Sequence, residues 1–157
     1  MSSLKIGVIS DSHGMCKYID LAMAHLKDVD LIIHAGDNYK DAKYIEKNYN
    51  IKVVAVSGNC DIGGIDERIE LIGGKKVFIT HGHNYEVKMN INVIFYAGKQ
   101  NDADIVIFGH SHIPFYAVEE GMVLLNPGST SLPRGGSEKS CCIITIEEDI
   151  KVEFINI

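Results

Sequence analysis

The stretch KIGVISDSH, residues 5–13, sets an apolar run against an abrupt polar end. Ile6, Val8 and Ile9 suit a buried strand, whereas Asp11, Ser12 and His13 do not continue it, so the strand should stop where the polar groups begin. The same transition recurs four times. DLIIHAG runs into Asp37, VVAVSG into Asn59, VFIT into His81, and DIVIFG into His110, Ser111 and His112. Five strands thus deliver polar groups from their carboxyl ends. In a mostly parallel sheet those ends converge on one edge, making neighbours of residues far apart in sequence.

Around these strands the early chain alternates with helical patterns. Met15, Ile19, Ala22, Met23 and Leu26 recur at spacings of three and four, which predicts a helix over residues 15–26. A second helix is expected over residues 38–48 and a third over residues 86–99. ERIELIG and KKVFITH, separated by Gly73 and Gly74, read as a hairpin. From Asp104 onward every segment reads as a strand, ending in SCCIITIEE and IKVEFINI. Helices early and strands late predict an α/β fold with two β-sheets packed face to face and helices outside. No linker or repeat interrupts the chain, so one domain over residues 1–157 is expected.

Composition narrows the functional classes. The 157 residues are 46% hydrophobic and 23% charged, enough for a core and a polar surface. A formal charge of −6 opposes polyanions and gives no basic patch for nucleic acid. No signal-peptide pattern opens the chain and no run approaches ~18 apolar residues, so a cytoplasmic protein is expected, with no membrane partner. Cys16, Cys60, Cys141 and Cys142 lack CxxC spacing and read as reduced thiols.

Carboxylate, imidazole and amide oxygen together suit Mn, Fe, Co, Ni or Zn, and the lack of thiolate clusters argues against iron–sulfur or structural zinc sites. Two divalent ions ~3.5–4 Å apart would activate a hydroxide, polarise a phosphoryl oxygen and offset developing charge, as phosphate ester hydrolysis requires. Each piece has a bland alternative. Asp11-Ser12 resembles a helix cap, Gly58-Asn59 a turn, and His81 and His83 surface imidazoles. Their recurrence after five apolar strands favours a site.

In that order, DSH, GD, GNCD, HGH and GHSH resemble the calcineurin-like metallophosphoesterase superfamily, in its compact single-domain phosphodiesterase branch, which also resembles NPGSTSLPR at residues 126–134. The resemblance implies that Asp11, His13 and His112 hold one metal ion, that Asn59, His81 and His110 hold a second, and that Asp37 bridges them. It further implies a four-layer αββα fold and a metal-bridging hydroxide as nucleophile, with Mn the first expectation and Ni, Fe, Co or Zn alternatives. Family members often carry a histidine after the third-motif asparagine, where it protonates the leaving oxygen. Cys60 occupies that place, and Asp61, which would orient the histidine, is kept. A thiol beside metal is a poor acid. Small phosphodiesters with good leaving groups are therefore the expected substrates, and His83 is the candidate substitute donor or a partner that orients a ligand.

Two alternatives accompany that reading. One is phosphomonoester hydrolysis. The other is a protein-binding scaffold, as in the superfamily's retromer subunit. The terminal strand could present an edge for a symmetric homo-oligomer.

Overall fold

In the computed structural model, which describes residues 3–157, ten strands form two five-stranded mixed sheets. The first contains β1 (Leu4–Ile9), β2 (Leu31–His34), β3 (Val53–Ala55), β9 (Ser140–Ile146) and β10 (Ile150–Asn156), ordered β10-β9-β1-β2-β3. The second contains β4 (Glu67–Ile72), β5 (Lys75–Thr80), β6 (Ile105–Ile107), β7 (Phe115–Glu119) and β8 (Met122–Asn126), ordered β4-β5-β6-β8-β7. Helices α1 (Cys16–Ala24) and α2 (Asp41–Tyr49) pack on the first sheet, and α3 (Asn92–Gln100) on the second.

Alternation along each strand explains the layering, because neighbouring side chains point to opposite faces. Ile6, Val8 and Ile33 from the first sheet meet Val77, Ile79, Ile105 and Ile107 from the second in the inter-sheet core. Ile9 and Ile32 turn outward to Ile19, Met23 and Ile45 of the helices, while Phe78, Val106 and Phe108 turn outward to Ile94 and Ala97. Even Cys141 and Cys142 split this way, the first facing the helices and the second the inter-sheet core. All four cysteines are free thiols. The order is helix, sheet, sheet, helix.

The predicted hairpin forms. β4 and β5 pair antiparallel, with Gly73 and Gly74 at φ 58° and 79°, a conformation that costs glycine little. The third helix is shorter than expected. After His81 the chain makes a single 3-10 turn, His83–Tyr85, and Glu86 takes a left-handed conformation at φ 53°, so α3 begins only at Asn92. The single, mostly parallel sheet edge is also corrected. β1, β2 and β3 run parallel in one sheet and β5, β6 and β8 in the other, with antiparallel strands outside each trio. The polar strand ends therefore meet across the two sheets.

No helix among the described residues is long and apolar enough to cross a membrane. β10 lies at the edge of its sheet.

Candidate metal centre

Asp11, Asp37, His81 and His112 are almost completely buried, at 0%, 2%, 0% and 3% exposure. Their donor atoms crowd together. Asp11 Oδ1 lies 3.2 Å from His112 Nε2, 3.7 Å from His81 Nε2 and 3.9 Å from His13 Nε2. Asp37 Oδ2 lies 3.3 Å from His81 Nε2 and 3.9 Å from His13 Nε2. Each carboxylate thus faces imidazoles that follow strands of both sheets. Three overlapping donor groups result: Asp11 with His13 and His112, Asp11 with Asp37 and His81, and His13 with Asp37 and Cys60. His110 and His83 lie outside these groups, with ring centroids 5.0 Å and 5.4 Å from His81. Asn59 is exposed on the turn before Cys60.

Hydrogen bonds decide which imidazole nitrogens face inward. His81 Nδ1 is 2.8 Å from the Ala35 carbonyl and His112 Nδ1 is 2.6 Å from that of Leu132. A carbonyl only accepts, so each Nδ1 carries the proton and a neutral ring aims a lone pair from Nε2 at the carboxylates. Asp11 Oδ1 and His81 Nε2 are buried with no hydrogen-bond partner. Orphaned buried acceptors facing each other cost free energy unless a proton or cation lies between them. The residues therefore fit divalent metal ions.

The titration behaviour agrees. Burial alone would raise the Asp11 carboxyl, but the His112 and His81 imidazoles hold it below the usual carboxylate range. Burial opposes ionisation of Asp37 too, and His81 and Cys60 overcome it, leaving that carboxyl strongly acidic. Burial would lower His81, but Asp37 and Asp11 raise it above an ordinary histidine. His110 falls to about 4 through burial and the nearby His81 and Lys88 charges. His83 is lowered by burial and by His81. Burial and the Asp37, Asp61 and Asp11 carboxylates raise the Cys60 thiol.

The backbone is bent to present these groups. Asp11, His13, Asp37, His110 and His112 all have positive φ, between 48° and 69°. Left-handed non-glycine residues cost on the order of 1–3 kcal/mol each and cluster where function demands them. Two glycines make room for the carboxylates. A Cβ on Gly58 would run into Asp37 Oδ1, and one on Gly109 would sit 2.5 Å from Asp11 Oδ2.

Supporting residues brace these groups, and Ser10, Ser129 and Ser131 among them carried little signal in the sequence. Asp11 Oδ2 accepts from Ser10 Oγ at 2.6 Å and from the His110 amide at 3.0 Å. Ser129 and Ser131 donate to the Asp11 carbonyl at 2.7 and 3.2 Å. Asn126 donates to Gly109 O and Ser111 Oγ, both at 3.0 Å, bracing the loop that carries His110 and His112. Asp61 Oδ2 accepts the backbone amides of Asp37, Tyr39 and Gly58 at 3.1, 3.0 and 2.7 Å. It ties the Asp37 loop to the Asn59 turn. Cys60 is exposed, and its amide donates to Asp37 Oδ1 at 3.1 Å.

Beside the centre, a cleft of about 110 Å³ is lined by Asn38, Lys40, Cys60, Asp61 and Ile62. The larger cavity of about 640 Å³ is lined by Leu4, Gly73 and residues of the β9–β10 turn, at the far end of the strands from the metal centre.

The buried carboxylates and imidazoles at the strand ends of this αββα sandwich form a candidate metal centre. The chain belongs to the calcineurin-like phosphoesterase superfamily, whose domain model matches residues 4–149. It is 36% identical over 149 residues to the probable metallophosphoesterase YsnB of Bacillus subtilis, covering 93% of this chain and 86% of YsnB. Among solved structures, a conserved protein of Streptococcus pneumoniae described as a predicted phosphoesterase superposes with a TM-score of 0.86 at 30% identity, covering 99% of this chain and 91% of that one. Vps29 of Entamoeba histolytica superposes at 0.77 with 21% identity, covering 98% and 99%, a likeness of fold alone.

Proposed function

We propose that this chain, acting as one domain over residues 1–157, is a dinuclear metal-dependent phosphodiesterase of small phosphodiesters. Asp11, His13 and His112 would hold one ion, Asn59, His81 and His110 the other, and Asp37 would bridge them. The observation that carries this is the facing pair of buried, unpartnered atoms, Asp11 Oδ1 and His81 Nε2, 3.7 Å apart. When bound, two divalent ions supply an activated water for in-line attack and polarise the phosphoryl oxygen. The ligand chemistry suits Mn first and admits Ni, Fe, Co or Zn.

The chain's own residues do the positioning. Ala35 and Leu132 carbonyls fix the tautomers of His81 and His112, so their Nε2 lone pairs need no reorganisation. Asp61 and the Cys60 amide hold Asp37 in place between the two imidazole sets. Asp11 and Asp37 cancel half the charge of two divalent ions, leaving a cationic centre suited to an anionic phosphate ester. The exposed thiol of Cys60, raised beside Asp37, stands where a proton donor would act and favours substrates with good leaving groups. His83, partly buried near His81 and lowered in basicity, suits a role in orienting a ligand better than one as proton donor. The free thiols suit a reducing compartment such as the cytoplasm.

A purely protein-binding role would leave the orphaned atoms of Asp11 and His81 without compensation. The deciding experiment pairs metal analysis with hydrolysis of a mono- and diester panel, using wild type and Asp37→Asn. Metal-dependent diester hydrolysis that is lost with Asp37→Asn is expected. Chelator-insensitive hydrolysis, or full activity in the variant, would overturn the mechanism.

A further inference from the structure

Beneath the His13 loop lies a buried polar chain that the proposed chemistry does not use. His34, Ser12 and Asp41 are 0%, 0% and 5% exposed. His34 Nδ1 accepts the Gly36 amide at 3.1 Å, so in the neutral ring Nε2 carries the proton and donates to Ser12 Oγ at 2.8 Å. Burial, outweighing the nearby Asp41, Asp11 and Asp61 charges, lowers the basicity of His34 and keeps that ring neutral. The Ser12 hydroxyl in turn donates to Asp41 Oδ2 at 2.5 Å, and the Gly14 amide donates to the same oxygen at 2.9 Å. Every donor in the chain has one direction.

Asp41 is the first residue of α2, and a helix-initial carboxylate commonly serves the amides of its own helix. Here Oδ2 reaches back 29 and 27 residues instead, to Ser12 and Gly14. Those two residues flank His13, whose φ of 48° needs external support. At the other end, His34 grips Gly36, the neighbour of Asp37. The chain thus spans the loops of two proposed ligands, whose Nε2 and Oδ2 lie 3.9 Å apart.

We propose that Asp41 is a positioning residue for His13, holding that imidazole in ligating geometry through Ser12 and Gly14, with His34 locking the chain to the Asp37 loop. The inference rests on the dinuclear reading of the site. Loss of such a hydrogen-bonding support typically weakens metal affinity by about 10–100-fold.

The test is calorimetric titration of metal-free protein with Mn²⁺, comparing wild type, Asp41→Asn, Ser12→Ala, the double variant and His13→Ala, with melting of each metal-free protein. Wild type should take two ions. Asp41→Asn should weaken one of them by about 10–100-fold and change the other little. Ser12→Ala should weaken the same ion, and the double variant should be no worse than the weaker single, because both act along one path. His13→Ala should abolish that ion's binding, which identifies it as the ion that Asp41→Asn weakens. Unchanged affinities, or equal weakening of both ions with a lower metal-free melting temperature, would overturn the proposal and leave Asp41 a structural residue. If Asp41→Asn does not fold, Ser12→Ala carries the comparison alone. A wild type that binds no Mn²⁺ pair would refute the dinuclear reading itself, a result distinct from failure of the positioning role.

Discussion

The Nε2 atoms of His13 and His112 lie 3.3 Å apart, although the two residues are 99 positions apart in the chain. The Leu132 carbonyl accepts a hydrogen bond from Nδ1–H of His112, so a neutral His112 points a lone pair at His13. The pair is stabilised only by a proton or a metal ion near both nitrogens. Metal should therefore stabilise the fold. Saturating Mn²⁺ at about 100 times its dissociation constant is expected to add about 2.7 kcal/mol. Thermal unfolding with Mn²⁺ and with excess chelator checks this; superimposable melts would count against a metal centre.

Affinity for metal should also depend on pH. His81 is raised above an ordinary histidine, so at acidic pH it is protonated and must lose that proton before its Nε2 can ligate. His110, lowered to about 4, is already neutral above pH 5 and adds no competition there. Affinity should fall by roughly tenfold per unit as pH drops below the raised His81 value, above about 6.5, and level off above it. A chelator competition series from pH 5.5 to 8.5 measures the slope. A flat profile would remove His81 from the ligand set.

Cys60→His should restore an acid at the third motif. Turnover of diesters with poor leaving groups should rise by up to about 10²–10⁴-fold, with a smaller change for aryl diesters whose leaving groups need little protonation. Steady-state kinetics across a leaving-group series tests this, and a uniform change along the series would argue that Cys60 is not in the position of the acid.

Gly58→Ala should damage the centre while sparing the core. The added methyl would collide with Asp37 Oδ1, a group fixed by the Cys60 amide, whereas no core side chain is among its nearest neighbours. Loss of at least tenfold in Mn²⁺ affinity is expected, with the metal-free melting temperature within a few degrees of wild type. Binding unchanged in this variant would show that the Asp37 carboxylate can move without consequence.

What the sequence disclosed, and what it hid, follows from the range of the interactions. Strands such as that within residues 104–109 were legible because a continuous apolar run and its polar termination are local signals, and the Gly73-Gly74 turn because its backbone conformation is written in two residues. The late start of α3 was not legible: residues 86–99 keep helical spacing, and nothing local announces the left-handed Glu86. Histidines after Gly82 and Gly109 could be nominated from their order. The clamp of Asp41 on residues 12 and 14 could not, since Asp41 looks like an ordinary helix-initial acid until α2 packs beside the His13 loop. Ser129 and Ser131 hid for the same reason, their partner being the carbonyl of a residue more than a hundred positions away.

The proposed ligands are divided between the two sheets: Asp11, His13, Asp37 and Asn59 follow strands of the first, and His81, His110 and His112 follow strands of the second. Ions held there would rivet this polar end of the sandwich. A force drawing the two sheets apart from that end would meet a latch released by chelator, and only afterwards the slower peeling of the Ile and Val interior.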